Sequence, residues 1–378
     1  MNMQLSLIKQ MEKFALEDSS VISLAQGTPF QQTDSHIREQ VTKALQNDLV
    51  DKYSDPAGIK DLRLKISDDL KNDGMEYHED EIIVTAGGIE ALAVCMLSLL
   101  QRGDEIIFPV PCYAAYFKLA QLAGVTVIPV PLDEKNGWSL SSDSIKKIMT
   151  PKTKAILLCS PNNPTGSIYP KKVVKEICML AQEKDCLIFQ DDIYGNMFYT
   201  EPPFNPLVDT ENKKQIIRIV SFSKDFALTG WRVGYIHTDR SYISDILSAH
   251  DTLVNCAPVI SQYAALSALD VKERIITNSQ KTYQYHRKLM GEALEELSEY
   301  LSFTWPDGSY FFFPKILGVE NTEKFCLDMV RSVGLAVSPG EAFGKEGAGH
   351  IRLCFGKSEY EIIEGMKRLK TFLKTYEK

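Results

Sequence analysis

The stretch that decides the fold is Glu81-Ile82-Ile83-Val84-Thr85-Ala86-Gly87-Gly88-Ile89-Glu90. Its β-branched first half predicts a buried strand, and the apolar periodicity of residues 89–100 predicts a buried helix. Two glycines at the junction allow backbone amides to close around an anion at the positive end of the helix dipole. A plain turn between a strand and a helix explains the same glycines equally well.

The same alternation of strand and helix continues as far as His237. Further strands are predicted at residues 105–108, 125–128, 155–159, 187–190, 216–220 and 233–236. Near-continuous apolar strands separated by helices indicate an α/β fold, with a mainly parallel sheet covered by helices on both faces. Ligands bind beyond the carboxyl ends of the strands in such sheets, so that edge is where we look for chemistry.

The pattern changes after about Asp270. A long polar helix is predicted at residues 275–300, a strand at 308–313 and a closing amphipathic helix at 359–375. This change indicates a second, smaller α+β domain, against which the N-terminal segment packs. We therefore predict a large domain at residues 32–270 and a small domain made of residues 1–31 and 271–378.

Composition limits the kinds of partner. The 378 residues carry a formal charge of −8, which argues against a nucleic-acid binder. Eight cysteines are scattered without a C-x-x-C pair, and several lie in apolar runs, so reduced core thiols and a cytoplasmic protein are expected. The dispersed histidines predict no metal site. No apolar stretch reaches the length of a membrane span, and the N-terminus does not resemble an export signal.

Lys224, in the run Ser221-Phe222-Ser223-Lys224, is the strongest chemical signal in the sequence. Arg232 follows eight residues later, inside Thr229-Gly230-Trp231-Arg232-Val233-Gly234-Tyr235. A lysine framed by hydroxyls and followed by an arginine suggests an amine that forms an imine beside a bound phosphate. A solvated surface lysine is the alternative interpretation of the run on its own.

Two further polar motifs follow predicted strands. Asn163 lies in Ser160-Pro161-Asn162-Asn163-Pro164-Thr165-Gly166, a stiff loop whose amide can donate to a phenolate oxygen. Asp191 can lie against a pyridine nitrogen and keep it protonated, and Tyr194 can donate to the ring's hydroxyl oxygen. A rigid loop and an exposed acidic turn are the simpler interpretations of these two motifs.

The order of these motifs resembles class I (class I/II) aminotransferases of the fold-type I pyridoxal-phosphate (PLP) superfamily. The resembling segments are G-G, P-x-Y-x-x-Y, P-N-N-P-T-G, D-D-x-Y, S-F-S-K and G-W-R-V-G-Y, and the likeness extends from Leu24 to Leu353. It implies PLP as the cofactor and Lys224, Asp191 and Tyr194 as the catalytic residues. The cofactor-binding residues that it implies are Gly87, Gly88, Ile89, Tyr113, Asn163, Asp191, Tyr194, Ser221, Ser223, Lys224 and Arg232, with the partner subunit's Tyr53.

The resemblance also implies how substrates bind. Arg352 matches the arginine that grips the substrate α-carboxylate, with Gly27 and Asn163 close to it. Tyr113 matches the aromatic ring that stacks on the cofactor. The role of Tyr53 requires a homodimer with sites at the interface.

The expected reaction moves an amino group from an L-amino acid to a 2-oxo acid such as 2-oxoglutarate, with ping-pong kinetics. The segment Asn255-Cys256-Ala257-Pro258-Val259-Ile260-Ser261-Gln262 offers no cation for a second carboxylate, so a neutral or aromatic donor is favoured, with Tyr310 and Phe311 as candidate lining residues. The alternative is another PLP reaction on the same scaffold, a C–S β-lyase or a related fold-type I enzyme such as a cyclopropane-forming synthase. A regulator with an aminotransferase-like domain is more remote, because no helix-turn-helix is visible.

Overall fold

The computed structural model describes residues 6–209 and 213–376. Its α-helices are α1 (Leu7–Glu17), α2 (Ser35–Gln46), α3 (Lys60–Asn72), α4 (Gly88–Leu99), α5 (Ala114–Ala123), α6 (Ser142–Ile148), α7 (Lys171–Glu183), α8 (Pro206–Asp209), α9 (Phe222–Asp225), α10 (Arg240–Val254), α11 (Val259–Asp270), α12 (Lys272–Glu295), α13 (Thr322–Val333) and α14 (Glu359–Thr375). None of these helices is both long enough and apolar enough to cross a bilayer.

The strands form one large sheet and three small ones. They are β1 (Ile22–Ser23), β2 (Ile82–Thr85), β3 (Glu105–Val110), β4 (Thr126–Pro131), β5 (Thr153–Cys159), β6 (Leu187–Asp191), β7 (Ile216–Ser221), β8 (Gly234–His237), β9 (Leu301–Ser302), β10 (Phe311–Phe312), β11 (Lys315–Ile316), β12 (Leu335–Ala336), β13 (Ser338–Pro339) and β14 (Ile351–Cys354). The large sheet has the order β2-β8-β7-β6-β5-β3-β4. Only β8 runs antiparallel to its neighbours, so the predicted mainly parallel α/β sheet is confirmed.

Helices cover both faces of this sheet. Successive strand residues point to opposite sides, so apolar strands present apolar side chains to the helices on each face. Ile83 of β2 belongs to the core that includes α4 and α5. The next residue, Val84, belongs to the core that includes α3 and α11. Each face of the sheet is therefore buried, which explains why its strands are apolar almost throughout.

The C-terminal part is built from short strands and three helices. β14 pairs antiparallel with β10 and β13, and β9 pairs with β11. β1 pairs in parallel with β12, so the N-terminal segment packs on this part of the chain. The closing helix α14 has the predicted bounds, and the long helix α12 begins three residues before its predicted start. The domain boundaries at residues 31 and 270 stay a prediction.

The strand predicted at residues 308–313 is shorter than expected, because only Phe311–Phe312 forms a strand, paired with β14. Ser309 has a φ of 59°, which interrupts an extended run. The Gly308 N–H donates to the Gly166 carbonyl at 2.9 Å. The start of this segment is therefore held by the loop after β5 rather than by the neighbouring strand.

Candidate active site

The polar motifs come together around one cavity of about 750 Å³. β5 leads into the loop that carries Asn163, β6 ends at Asp191, and β7 ends at Ser221 before the turn to Lys224. These three strands are parallel neighbours, so their carboxyl ends lie side by side. The predicted residues that line the cavity are Gly27, Gly88, Ile89, Tyr113, Asn163, Asp191, Tyr194, Ser221, Ser223, Lys224, Arg232 and Arg352.

Two predicted residues do not line this cavity. Gly87 lies beside it, with a φ of 87°, and a Cβ at this position would be 2.8 Å from Arg232 Nη2. A side chain there would strain the backbone and collide with the guanidinium, so glycine is required. Tyr53 is 83% exposed. Its role toward a partner subunit's cofactor stays a prediction.

The amine of Lys224 points to the N-terminal wall of the cavity. The short helix α9 carries the lysine, and its Nζ donates to the Gly27 carbonyl at 2.5 Å. Burial lowers the pKa of Lys224 to about 8, and the positive charges of Arg352, Arg232 and Lys9 act in the same direction. Near neutral pH this lowered pKa leaves about a tenth of the amine deprotonated, far more than an ordinary lysine, and the deprotonated form is the one that a nucleophile or base requires.

Asp191 is a buried carboxyl group, with 2% of its surface exposed. The Tyr116 hydroxyl donates to its Oδ2 at 2.5 Å, and the Ile193 N–H donates to its Oδ1 at 3.3 Å. Burial raises the pKa of Asp191 to about 7, against these two hydrogen bonds, which favour the charged form. A cation placed against the carboxylate would lower this pKa again and hold the charge.

Tyr116 is a contact of Asp191 that the sequence did not reveal. Its motif P-x-Y-x-x-Y drew attention to the first tyrosine, Tyr113, which lines the cavity with its ring edge-on to the Tyr116 ring. The second tyrosine also lines the cavity, with 2% of its surface exposed, and its hydroxyl reaches Asp191 across 75 positions of sequence. The two tyrosines are three residues apart at the start of α5, so they lie on the same face of that helix. This spacing was the signal from which the position of Tyr116 could have been predicted.

Arg352 is a buried cation on β14, with 2% of its surface exposed. Its Nη1 donates to Asn163 Oδ1 at 2.9 Å, and its Nη2 donates to the Ala25 carbonyl. Its plane lies 4.2 Å from the centre of the Phe311 ring. In the described chain its Nε has no hydrogen-bond partner, and the groups that accept from its other nitrogens are an amide oxygen, a carbonyl and a hydroxyl. A buried guanidinium held only by neutral groups is suited to binding an anion.

The N-terminus of α4 and the turn after β7 form an anion cradle. Gly88 and Ile89 begin α4, where no side chain caps the free backbone amides. Ser221, Ser223 and Arg232 also line the cavity. Arg232 and Ser221 lie beside the start of α4, because a Cβ on Gly87 would be 2.8 Å from Arg232 Nη2 and one on Gly88 would be 3.6 Å from Ser221 Cβ. Amides at a helix N-terminus, two hydroxyls and a guanidinium are the donors that a phosphate group needs.

The outer part of the cavity is lined by the N-terminal segment, which the resemblance to aminotransferases implies as a part of the pocket lid, and by α5. Ser6, Ile8 and Lys9 come from α1 and its cap, and Lys118 and Leu122 come from α5. The segment 255–262, searched for a substrate-binding cation, does not line this cavity. Of the two candidate aromatic residues, Phe311 lines the cavity. Tyr310 is fully buried, and its hydroxyl donates to the Gly27 carbonyl at 3.1 Å.

Asp192 faces away from this site. Its Oδ2 accepts a hydrogen bond from Arg218 Nε at 2.7 Å, on the neighbouring strand β7. Both side chains are largely buried. The second aspartate of the Asp191-Asp192 pair thus anchors the end of β6, and the first is free to serve the cavity.

These groups satisfy the requirements of pyridoxal phosphate. The cradle suits its phosphate, Asp191 suits a protonated ring nitrogen, and the Lys224 amine suits its aldehyde. A Cβ on Gly87 would fill the space beside the cradle and meet the Arg232 guanidinium, so the absence of a side chain there leaves room for a phosphate. Fold and site together define a PLP-dependent enzyme of fold type I.

Comparison with known proteins agrees with this class. The sequence matches the family described as aminotransferase class I and II over residues 19–369, and the chain belongs to that family. It is 34% identical to YugH of Bacillus subtilis, a protein assigned as an aminotransferase, over 97% of this chain and 95% of that one.

Solved structures of aminotransferases share the fold. The aspartate aminotransferase of Thermotoga maritima superposes with a TM-score of 0.92 at 29% identity, and the alignment covers 98% of each chain. The alanine aminotransferase of Pyrococcus furiosus gives 0.91 at 31% identity, also with 98% of each chain. The chain is therefore a PLP-dependent aminotransferase. These two relatives carry different substrates in their names, so the family alone does not define the amino acid.

Proposed function

We propose that this aminotransferase moves the amino group of a neutral or aromatic L-amino acid to a 2-oxo acid such as 2-oxoglutarate, with ping-pong kinetics. The observation that carries the proposal is the meeting of Lys224, Asp191 and Arg352 around one cavity. The same cavity has apolar side chains in its walls, among them Ile89 and Phe311, which favour an apolar substrate side chain.

Bound pyridoxal phosphate supplies an electron sink that makes the Cα–H bond of an attached amino acid acidic. Lys224 would accept that proton on Nζ and deliver it to the cofactor carbon C4′ rather than back to Cα, for which its lowered pKa of about 8 is suitable. Asp191 holds a proton on the ring nitrogen through its negative charge. Tyr194 and Asn163 donate to the phenolic oxygen. The Asn163 Nδ2 atom lies 3.4 Å from the Tyr194 hydroxyl, close enough for both groups to reach one ligand oxygen.

Arg352 binds the α-carboxylate of each substrate in turn. Its hydrogen bond to Asn163 Oδ1 keeps the guanidinium plane fixed, and the Phe311 ring packs on one side of it. Gly27 lies close to the same carboxylate; a Cβ there would be 2.6 Å from Phe311. Rigid placement of the α-carboxylate orients the Cα–H bond toward Lys224, so little further entropy is lost when the proton is transferred.

We further propose that the enzyme is a cytoplasmic homodimer in which the partner subunit's Tyr53 binds the cofactor phosphate. Support comes from the exposure of Tyr53, a large aromatic residue that is otherwise in water. Eight free cysteines, seven of them buried, support a reducing compartment.

The test is a panel of L-amino acids mixed with holoenzyme and 2-oxoglutarate, with glutamate as the measured product. We expect glutamate with neutral or aromatic donors, together with a spectral change of the cofactor when either substrate is added alone. Release of pyruvate and a thiol from cystathionine, without glutamate from any donor, would instead support the β-lyase.

A further inference from the structure

Among residues 6–209 and 213–376, five basic side chains line the cavity, whereas Asp191 is the one carboxylate that does so. The proposed function uses three of the five, because Arg232 binds phosphate, Arg352 binds the α-carboxylate and Lys224 carries the proton. Lys9 and Lys118 remain. An amino acid with a neutral side chain, bound with the cofactor, offers no anion to Lys9.

Lys9 is the better placed of the two with respect to the reacting groups. Its Nζ lies 3.2 Å from the Oε1 atom of Gln26. Gln26 adjoins Gly27, whose carbonyl accepts the hydrogen bond from Lys224 Nζ. The charge of Lys9 also contributes to the lowered pKa of Lys224, so the two amines are within electrostatic reach of each other.

The partner of Lys9 within the described chain is a neutral amide, and its hydrogen bond is easily exchanged for a stronger one. Hydrogen bonds between ammonium and carboxylate are shorter and about twice as strong as neutral ones. Lysine is also a point charge on a flexible stem, able to move aside for an uncharged substrate. Arginine at this place would be harder to displace.

We propose that Lys9 binds the second carboxylate of a dicarboxylic 2-oxo acid and thereby selects acceptors of the 2-oxoglutarate type. This inference rests on the proposed transamination. It explains how one cavity serves two unlike substrates in turn. The neutral donor packs against the apolar walls, and the dicarboxylic acceptor recruits the Lys9 ammonium from α1.

The experiment compares 2-oxoglutarate with 2-oxopentanoate, which has a methyl group where 2-oxoglutarate has its second carboxylate. In Lys9→Gln holoenzyme, kcat/KM for 2-oxoglutarate should fall about 10-fold, as expected for the loss of one charge-assisted hydrogen bond. The value for 2-oxopentanoate should change less than about twofold. Lys13→Gln is the matched control, since Lys13 lies on the same helix and pairs with Glu17 at 3.3 Å.

Equilibrium binding gives a second readout that does not depend on turnover. Glutarate and pentanoate are titrated into holoenzyme by calorimetry, and Lys9→Gln should weaken glutarate alone, with Lys9→Arg restoring most of the affinity. Equal effects on both ligands, or on neither, would overturn the role of Lys9. Failure of the unmodified holoenzyme to transfer amino groups with any acceptor would overturn the proposed function instead.

Discussion

The inner and outer ends of the cavity are built in different ways. At the inner end, Asp191 and Arg352 are almost fully buried, and each is fixed by hydrogen bonds from other elements. At the outer end, Lys9 and Leu122 lie on the exposed faces of α1 and α5, and Leu122 is 55% exposed.

This difference assigns the reaction to the inner end of the cavity and the choice of substrate to the outer end. A buried polar group is costly unless its partners are in place, so few residue types can replace Asp191 or Arg352. Exposed positions tolerate most substitutions, so the outer end can change its ligand without loss of the fold. Substitutions at the inner end should therefore affect all substrates, and those at the outer end should affect substrates selectively.

The largest effect is expected for Lys224→Ala. Loss of the Lys224 amine, to which we assign the proton transfer, should lower kcat by at least about 10³-fold for every donor and remove the absorption band of the lysine-bound cofactor. Stopped-flow absorbance of each half-reaction measures both quantities. Lys146→Ala, an exposed lysine of α6, is the control. Normal turnover in Lys224→Ala would contradict the assignment.

Arg352→Ala should have the second largest effect. Removal of the guanidinium loses two charge-assisted hydrogen bonds to the α-carboxylate, so KM for amino and oxo acids should rise about 100-fold. Initial-rate kinetics with several donors and acceptors measures this. Arg352→Lys should recover only part of the loss, because lysine cannot bind bidentately. Unchanged KM values for all substrates would remove Arg352 from the site.

The inner end was largely predictable from the sequence because its residues follow strands in short motifs. Lys224, Asp191 and Asn163 each come directly after an apolar run, and parallel strands bring such positions together. The mainly parallel sheet was also predictable, since strands that are buried on both faces are near-continuous apolar runs.

The outer end and the supporting contacts were not predictable in this way. Lys9 reaches the cavity only because β1 pairs with β12 and places α1 over the site, a long-range contact without a local pattern. Tyr116 meets Asp191 through the packing of α5 against the sheet. The strand at 308–313 was overestimated because the backbone of Gly308 pairs with Gly166 in another loop and Ser309 has a positive φ, neither of which sequence periodicity reveals.

Tyr116→Phe tests whether the support of an inner residue matters as well as the residue itself. Its hydroxyl donates to Asp191 and lowers the pKa of that carboxyl, so its loss should raise the pKa. The carboxylate would then lose its charge at a higher pH. We expect the acid limb of kcat/KM to move upward by up to about one pH unit, with about a 10-fold lower rate on that limb. The pH profile should not move in Tyr169→Phe, a buried tyrosine away from the cavity, and an unmoved profile in Tyr116→Phe would contradict the role.

The smallest effect is expected for Tyr53→Phe. Tyr53 is exposed in the single chain and belongs to neither end of its cavity. If the partner subunit's Tyr53 binds the cofactor phosphate, loss of one hydroxyl should weaken cofactor affinity about 5-fold, the size of one net hydrogen bond. At saturating cofactor kcat should be unchanged, since the phosphate does not react. Equilibrium dialysis of the cofactor measures the affinity, and sedimentation establishes the dimer. A monomer whose cofactor affinity does not respond to Tyr53→Phe would show that each cavity is complete within one chain.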